Sequence, residues 1–314
     1  MKVTIATAPC SWGVWYPDGT PSGTPWHTFL DQAASAGYQA LELGPIGYLP
    51  ANYQELSTEL EKRSLSVCAG TACYAFAQIS NLDSIREELN SLCALLVQMN
   101  AKYLVTMDES DVGRFGEKKS DLTPSQSNKY LQIIREMAAF TFQEHGIKPV
   151  FHPHIKSLYE YENEIQNLME LTGIDLCFDT GHHTYSNGSP EAGDRSSLDF
   201  LLKYPERIAY LHFKNVDGQI KKRVLEENLD SDQAFDLDVM CDLEDGIIDF
   251  RELKTVLEAI NFKGIGVIEQ DMPRATTDQA FTSAKRNLNF LKEWLRIRPS
   301  LYDTLLCVWH RDIF

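Results

Sequence analysis

Short apolar runs alternate with longer amphipathic stretches eight times along the chain. The runs Val3–Ala8, Ala40–Leu43, Ser66–Gly70, Tyr103–Thr106, Val150–His152, Leu176–Phe178, Ile208–Phe213 and Gly266–Glu269 are nearly continuous in apolar residues. That is the pattern of parallel strands buried on both faces. The stretches between them repeat apolar residues at helical spacing, as Tyr130, Leu131, Ile134, Met137 and Ala138 do. They predict helices over Trp26–Ala36, Asn52–Arg63, Leu82–Met99, Pro124–His145, Glu160–Thr172, Ser196–Tyr204, Phe250–Ile260 and Asp278–Ile297. Gly37, Gly146 and Gly173 stand where left-handed C-terminal caps belong, and Thr123-Pro124 reads as a capped start.

Eight such units predict an α/β fold, a single (β/α)8 barrel over residues 1–297, with 298–314 as an extension of unassigned role. A doubly wound open sheet is the alternative. It normally has fewer units, and no G-x-G-x-x-G follows the first strand. Loops are expected at Asp108–Leu122, Thr180–Arg195 and Asn215–Asp249. All three follow strand ends, so all three belong to the face on which a barrel builds its site.

Composition changes this picture little, and charge narrows it. Apolar residues make up 43% and charged residues 24%, as in ordinary globular domains. No uninterrupted apolar stretch of about 18 residues predicts a membrane span, and the start, Met1-Lys-Val-Thr-Ile, reads as a strand rather than a secretory leader. The net charge of −16 argues against nucleic-acid and membrane partners. The densest basic cluster, Lys221-Lys222-Arg223, reads as a solvated loop. Seven scattered cysteines without a C-x-x-C pair fit a reducing cytoplasm. Cys73 is the one that falls just past a strand end.

The chemistry concentrates at the ends of four successive strands. Lys148-Pro-Val-Phe-His152, Ile174-Asp-Leu-Cys-Phe-Asp179, Ile208-Ala-Tyr-Leu-His212 and Ile265-Gly-Val-Ile-Glu269 each end on a residue that binds metals. In one parallel sheet, His152, Asp179, His212 and Glu269 emerge together at the carboxyl-terminal edge. Two imidazoles and two carboxylates suit Mn²⁺ or Co²⁺, with Zn²⁺ and Fe²⁺ as further candidates. His154 shares a face with His152, and either reads as the ligand. His182, three residues after Asp179, leans back over the site. Lys214 shares a face with His212. After the first two strands come Pro9-Cys-Ser-Trp-Gly-Val-Trp15 and Glu42-Leu-Gly-Pro-Ile-Gly-Tyr-Leu-Pro50. Trp12 and Trp15 are expected either to stack on a sugar or cyclitol ring or to plug the barrel top. Glu42 is expected to face the mouth, with Lys214 or a substrate hydroxyl as its partner.

These segments, with His152-Pro-His154, Asp179-Thr-Gly-His182, His212-Phe-Lys214 and Glu269-Gln-Asp271, resemble the xylose-isomerase-like barrel superfamily of sugar isomerases and epimerases. The first two resemble its inosose dehydratase branch. Asn215 departs from the Asp usual after His-x-Lys, and the first ligand of the superfamily is more often Glu than His. The resemblance implies a metal-dependent dehydratase acting on a keto-cyclitol, or an epimerase or isomerase that begins with the same proton removal. It implies Glu269 or His154 as base, and His182 or Lys214 as acid or enolate stabiliser. Partners are expected to be a small polyol and, by analogy, further copies of the chain. An endonuclease IV-like repair enzyme and a non-catalytic sugar-binding barrel are the remoter readings.

Overall fold

The computed structural model describes residues 1–110 and 122–295. Eight parallel strands close a barrel: β1 (Lys2–Thr7), β2 (Ala40–Glu42), β3 (Ser66–Tyr74), β4 (Tyr103–Asp108), β5 (Lys148–His152), β6 (Asp175–Asp179), β7 (Ile208–Phe213) and β10 (Lys263–Ile268). β10 pairs with both β1 and β7 and completes the ring. The outer helices are α1 (Trp26–Ala36), α2 (Tyr53–Glu61), α3 (Asp83–Gln98), α4 (Pro124–His145), α5 (Glu162–Thr172), α7 (Ser196–Lys203), α10 (Phe250–Ala259) and α11 (Thr277–Leu295). The expected helix to Ile297 is described to Leu295, and the extension 298–314 lies outside the described residues, as do 111–121 of the loop after β4. Among the described residues, no helix is long and apolar enough to cross a membrane.

Alternation along each strand sorts side chains into two layers. Small or slender residues, among them Ala6, Ala40, Ala69, Val105, Val150, Cys177 and Val267, fill the inside of the barrel with Tyr210. Phe151, Leu176, Phe178, Leu211, Phe213 and Ile268 point outward and pack with the helices in the larger core. Helix ends follow local chemistry. Thr123 and Gln126 cap α4 reciprocally, and Gly146 ends it at φ 69°, where a Cβ would be strained.

Two of the expected loops are structured. Thr180–Asn187 forms α6, with Asp179 as its N-cap. The excursion after β7 holds β8 (Asn215–Val216), α8 (Gly218–Glu227), α9 (Ser231–Asp236) and β9 (Met240–Cys241), with β8 and β9 antiparallel. Apolar periodicity misses these helices because they are short and mostly polar. Their caps carry the local signal: Asp217 caps α8, and Asp230 with Gln233 forms a capping box on α9. Lys221-Lys222-Arg223 is therefore helical, and Lys221 is buried rather than solvated. Cys73 lies inside β3 rather than past its end.

Candidate metal centre and active-site cavity

Each candidate ligand stands two residues beyond a barrel-lining residue: His152 after Val150, Asp179 after Cys177, His212 after Tyr210, Glu269 after Val267. Residues two apart on a strand share a face, so all four are carried up the inside wall to the mouth. β6 and β7 set Asp179 directly beside His212. One ligand atom from each of His152, Asp179, His212 and Glu269 lies within 4.8 Å of the others, and all four residues are buried.

Buried polar atoms are normally hydrogen-bonded. Here both ring nitrogens of His152, Nδ1 of His212 and Oδ2 of Asp179 have no hydrogen-bond partner. His152 Nε2 faces Asp179 Oδ2 at 3.6 Å, and His212 Nδ1 faces Glu269 Oε2 at 3.0 Å. A convergent set of orphaned nitrogen and oxygen donors fits a divalent transition-metal ion.

Glu42 and Lys214 surround this cluster, and they do not pair with each other. Glu42 Oε1 lies 2.9 Å from His212 Nε2, so its partner is the histidine and not Lys214. That contact turns Nδ1 of His212 toward the cluster, in the manner of an outer carboxylate that orients a ligating imidazole. Lys214 Nζ donates to Asp271 Oδ2 at 2.8 Å and lies 3.2 Å from both Asp179 Oδ2 and Glu269 Oε2.

The charges set the protonation states. Burial disfavours the Asp179 carboxylate, but the Lys214 ammonium outweighs it and holds the pKa well below the usual range. Glu269 is likewise held down against burial by His212 and Lys214. Burial opposes the charge on Lys214, and Asp179, Asp271 and Glu269 raise its pKa above normal all the same. Burial opposes the charge on His212, and Cys177, Glu269 and Glu42 push its pKa above the usual range all the same. For Nδ1 to ligate, that ring must release its proton.

Above the cluster opens a cavity of about 390 Å³, lined by Glu42, His152, His154, His182, His212, Lys214, Glu269 and Asp271 on the polar side. His182 Nε2 lies 3.0 Å from Lys214 Nζ, and burial followed by that ammonium drives its pKa well below normal. His154 lies outside the four-residue cluster. Its Nε2 meets the Asp108 carbonyl oxygen at 2.9 Å and its Nδ1 the Ile155 carbonyl oxygen at 2.6 Å, and burial pushes its pKa down to about 4.

The two tryptophans separate. Trp15 lines the cavity and meets the ring of Phe235 edge-on at 5.8 Å. Trp12 does not line it. Its ring is fully buried against Phe29, and its Nε1–H donates to Gln32 Oε1 at 2.7 Å. The expected sugar contact at Trp12 is thus a core residue, because the 3-10 turn Pro9–Trp12 points the ring outward toward α1. Sequence reasoning also passed over cavity residues. Asp232 and Phe235 arrive on α9, whose capping box was the available signal. Asp271 stands two residues beyond Glu269, so the same alternation that marks Lys214 after His212 marks it too.

A closed parallel barrel with such a centre at the carboxyl ends of its strands defines an enzyme barrel. The chain belongs to the xylose isomerase-like TIM barrel family, whose model matches residues 30–294. It is similar to the inosose dehydratase of Bacillus thuringiensis (strain Al Hakam), at 27% identity over 304 residues, covering 93% of this chain and 97% of that one. Among solved structures, the IolI protein with a bound zinc atom superposes with a TM-score of 0.68 at 13% identity, covering 94% of this chain and all of that one. An L-ribulose 3-epimerase superposes with a TM-score of 0.65 at 16% identity, covering 99% and 100%. These two likenesses concern the fold.

Proposed function

We propose that the chain is a metal-dependent lyase that dehydrates a keto-cyclitol of the inosose type, such as 2-keto-myo-inositol. The observation that carries this reading is the pairing of two unlike groups over one metal-type cluster. Glu269 is an ionised carboxylate, and the Lys214–His182 pair bears a proton across 3.0 Å. Elimination of water needs an acceptor for the C–H proton and a donor for the departing hydroxyl. The similarity to inosose dehydratases over 93% of the chain supports the same reading.

His152, Asp179, His212 and Glu269 would hold the ion, with Mn²⁺ or Co²⁺ favoured and Zn²⁺ or Fe²⁺ as further fits to these donors. When bound, it supplies Lewis-acid polarisation of the ketone. Glu269 accepts the proton from the carbon beside the ketone. Lys214 is charged as the oxyanion develops and stabilises it before its proton moves on. His182, fed from Lys214, gives a proton to the β-hydroxyl as its C–O bond breaks, and water leaves. The proton on Glu269 returns to the pair, so the site is reset. His154, held against two carbonyl oxygens, serves as a wall and substrate contact rather than as the base. Trp15 with Phe235 offers an apolar flank for the C–H face of the ring.

Epimerisation starts with the same proton removal and then needs a second carboxylate to return a proton to the opposite face. His152 stands where the superfamily more often has a glutamate, which favours dehydration. The test is protein loaded with Mn²⁺ or Co²⁺, mixed with 2-keto-myo-inositol and followed for the ultraviolet absorbance of a dione, with an EDTA control. A metal-dependent rise is expected. Metal bound without a rise would reject the dehydratase and call for a ketohexose epimerase screen. Absence of metal binding would reject the four-ligand centre.

A further inference from the structure

Lys221 is only 2% exposed, and nothing in the proposed chemistry uses it. It sits in the first turn of α8, where Asp217 caps the helix and accepts from the N–H groups of Gln219 and Ile220. Its Nζ donates to the carbonyl oxygens of Thr184 at 2.6 Å and Gly188 at 2.7 Å. Those carbonyls end α6. The Thr184 carbonyl also accepts the Gly188 N–H at 2.9 Å, so Lys221 clamps the C-cap turn of α6 rather than filling an empty carbonyl, and its charge meets the negative end of the helix dipole.

α6 has eight residues, a span of about 12 Å at 1.5 Å each. Its other end is the metal centre. Asp179 is its N-cap: Oδ1 accepts the His182 N–H at 2.8 Å, which leaves Oδ2 for the cluster. Gly181 packs so closely on Lys214 that a Cβ there would lie 2.6 Å from its Cγ. A helix this short does not hold its shape alone, and both ends depend on outside contacts. Burial lowers the pKa of Lys221 to about 8, with Asp194 acting in the opposite direction, so the ammonium is kept there at an electrostatic cost. An apolar residue would fill the same space more cheaply and leave both carbonyls without this donor.

We propose that Lys221 is a positioning residue for the metal centre, anchoring the C-terminal end of α6 so that Asp179 and His182 are held at the other. The excursion that carries it also brings Asp232 and Phe235 over the cavity, so this one ammonium joins the cavity cover to the helix of the metal ligand. The inference rests on the four-ligand reading of the centre and is independent of the substrate.

The test is Co²⁺ titration of the metal-free full chain, read by its visible d–d absorption, for the wild type, Lys221→Met and Lys222→Met. Lys222 is the exposed neighbour, with 61% of its side chain accessible. Lys221→Met is expected to bind Co²⁺ about tenfold or more weakly with shifted bands, and Lys222→Met to match the wild type. A purely structural lysine would lower the unfolding midpoint and leave affinity and bands unchanged, which would overturn the proposal. Should Lys221→Met fail to fold, Lys221→Gln, which keeps an amide donor, is judged by the same two outcomes. Failure of the wild type to bind Co²⁺ would reject the metal centre itself and this inference with it.

Discussion

Nε2 of His212 lies 2.9 Å from Oε1 of Glu42, although β1 and β10 stand between the strands that carry them. The contact crosses the mouth of the barrel. It makes Glu42 an orienting group for a candidate ligand. Glu42→Gln keeps the size and removes the charge. Metal affinity is expected to fall by about 10- to 100-fold, as for other outer partners of ligating histidines. Competition with a chromophoric chelator measures it; unchanged affinity would return Glu42 to substrate binding.

Metal should also stabilise the fold, because a preformed cluster binds an ion that the unfolded chain binds poorly. At a free ion concentration of 100 times Kd the gain is about 2.7 kcal/mol. Melting with Mn²⁺ and with EDTA should therefore separate clearly for the wild type. Asp179→Asn should lose most of that separation. A variant that kept it would place the ion elsewhere.

Trp12 and Trp15 are expected to fail differently. Trp12→Ala opens a cavity in the core beside Phe29 and should cost about 3–5 kcal/mol of stability, read as a denaturant midpoint. Trp15→Ala should leave that midpoint nearly in place and raise KM for the keto-cyclitol severalfold. Equal effects on stability would show that the cavity wall at Trp15 is also core.

His183 gives the acid limb of stability. Its ring is buried between Phe178 and Phe200, neither nitrogen has a hydrogen-bond partner, and burial pushes its pKa down to about 3. The unfolded state takes the proton first, near pH 6.5. Stability from the neutral ring is thus complete above that pH and is lost as pH falls toward about 3. Between pH 6.5 and 5 the loss is roughly 2 kcal/mol. In His183→Leu the drop in unfolding free energy between pH 7 and pH 5, obtained from urea titrations, should be smaller by that amount. An undiminished drop would assign the acid sensitivity to other histidines, with His154 the first to examine.

The sequence by itself determined the barrel and three of the candidate ligands, with His152 or His154 as the fourth, because these are written in local signals. Apolar runs mark the strands, and alternation places His152, Asp179, His212 and Glu269 each two steps above a wall residue of its own strand. The same alternation marked Lys214. Only the tertiary structure decided which groups meet. Glu42 and His212 are 170 residues apart, and no pattern along the chain encodes their contact. Trp12 and Trp15 look alike in sequence, and the turn between them sends one into the core and the other to the cavity. Lys221 reads as one of three solvated cations until α8 folds against the end of α6. Burial and long-range pairing depend on closing the chain in three dimensions, and that closure gave each of these residues its chemistry.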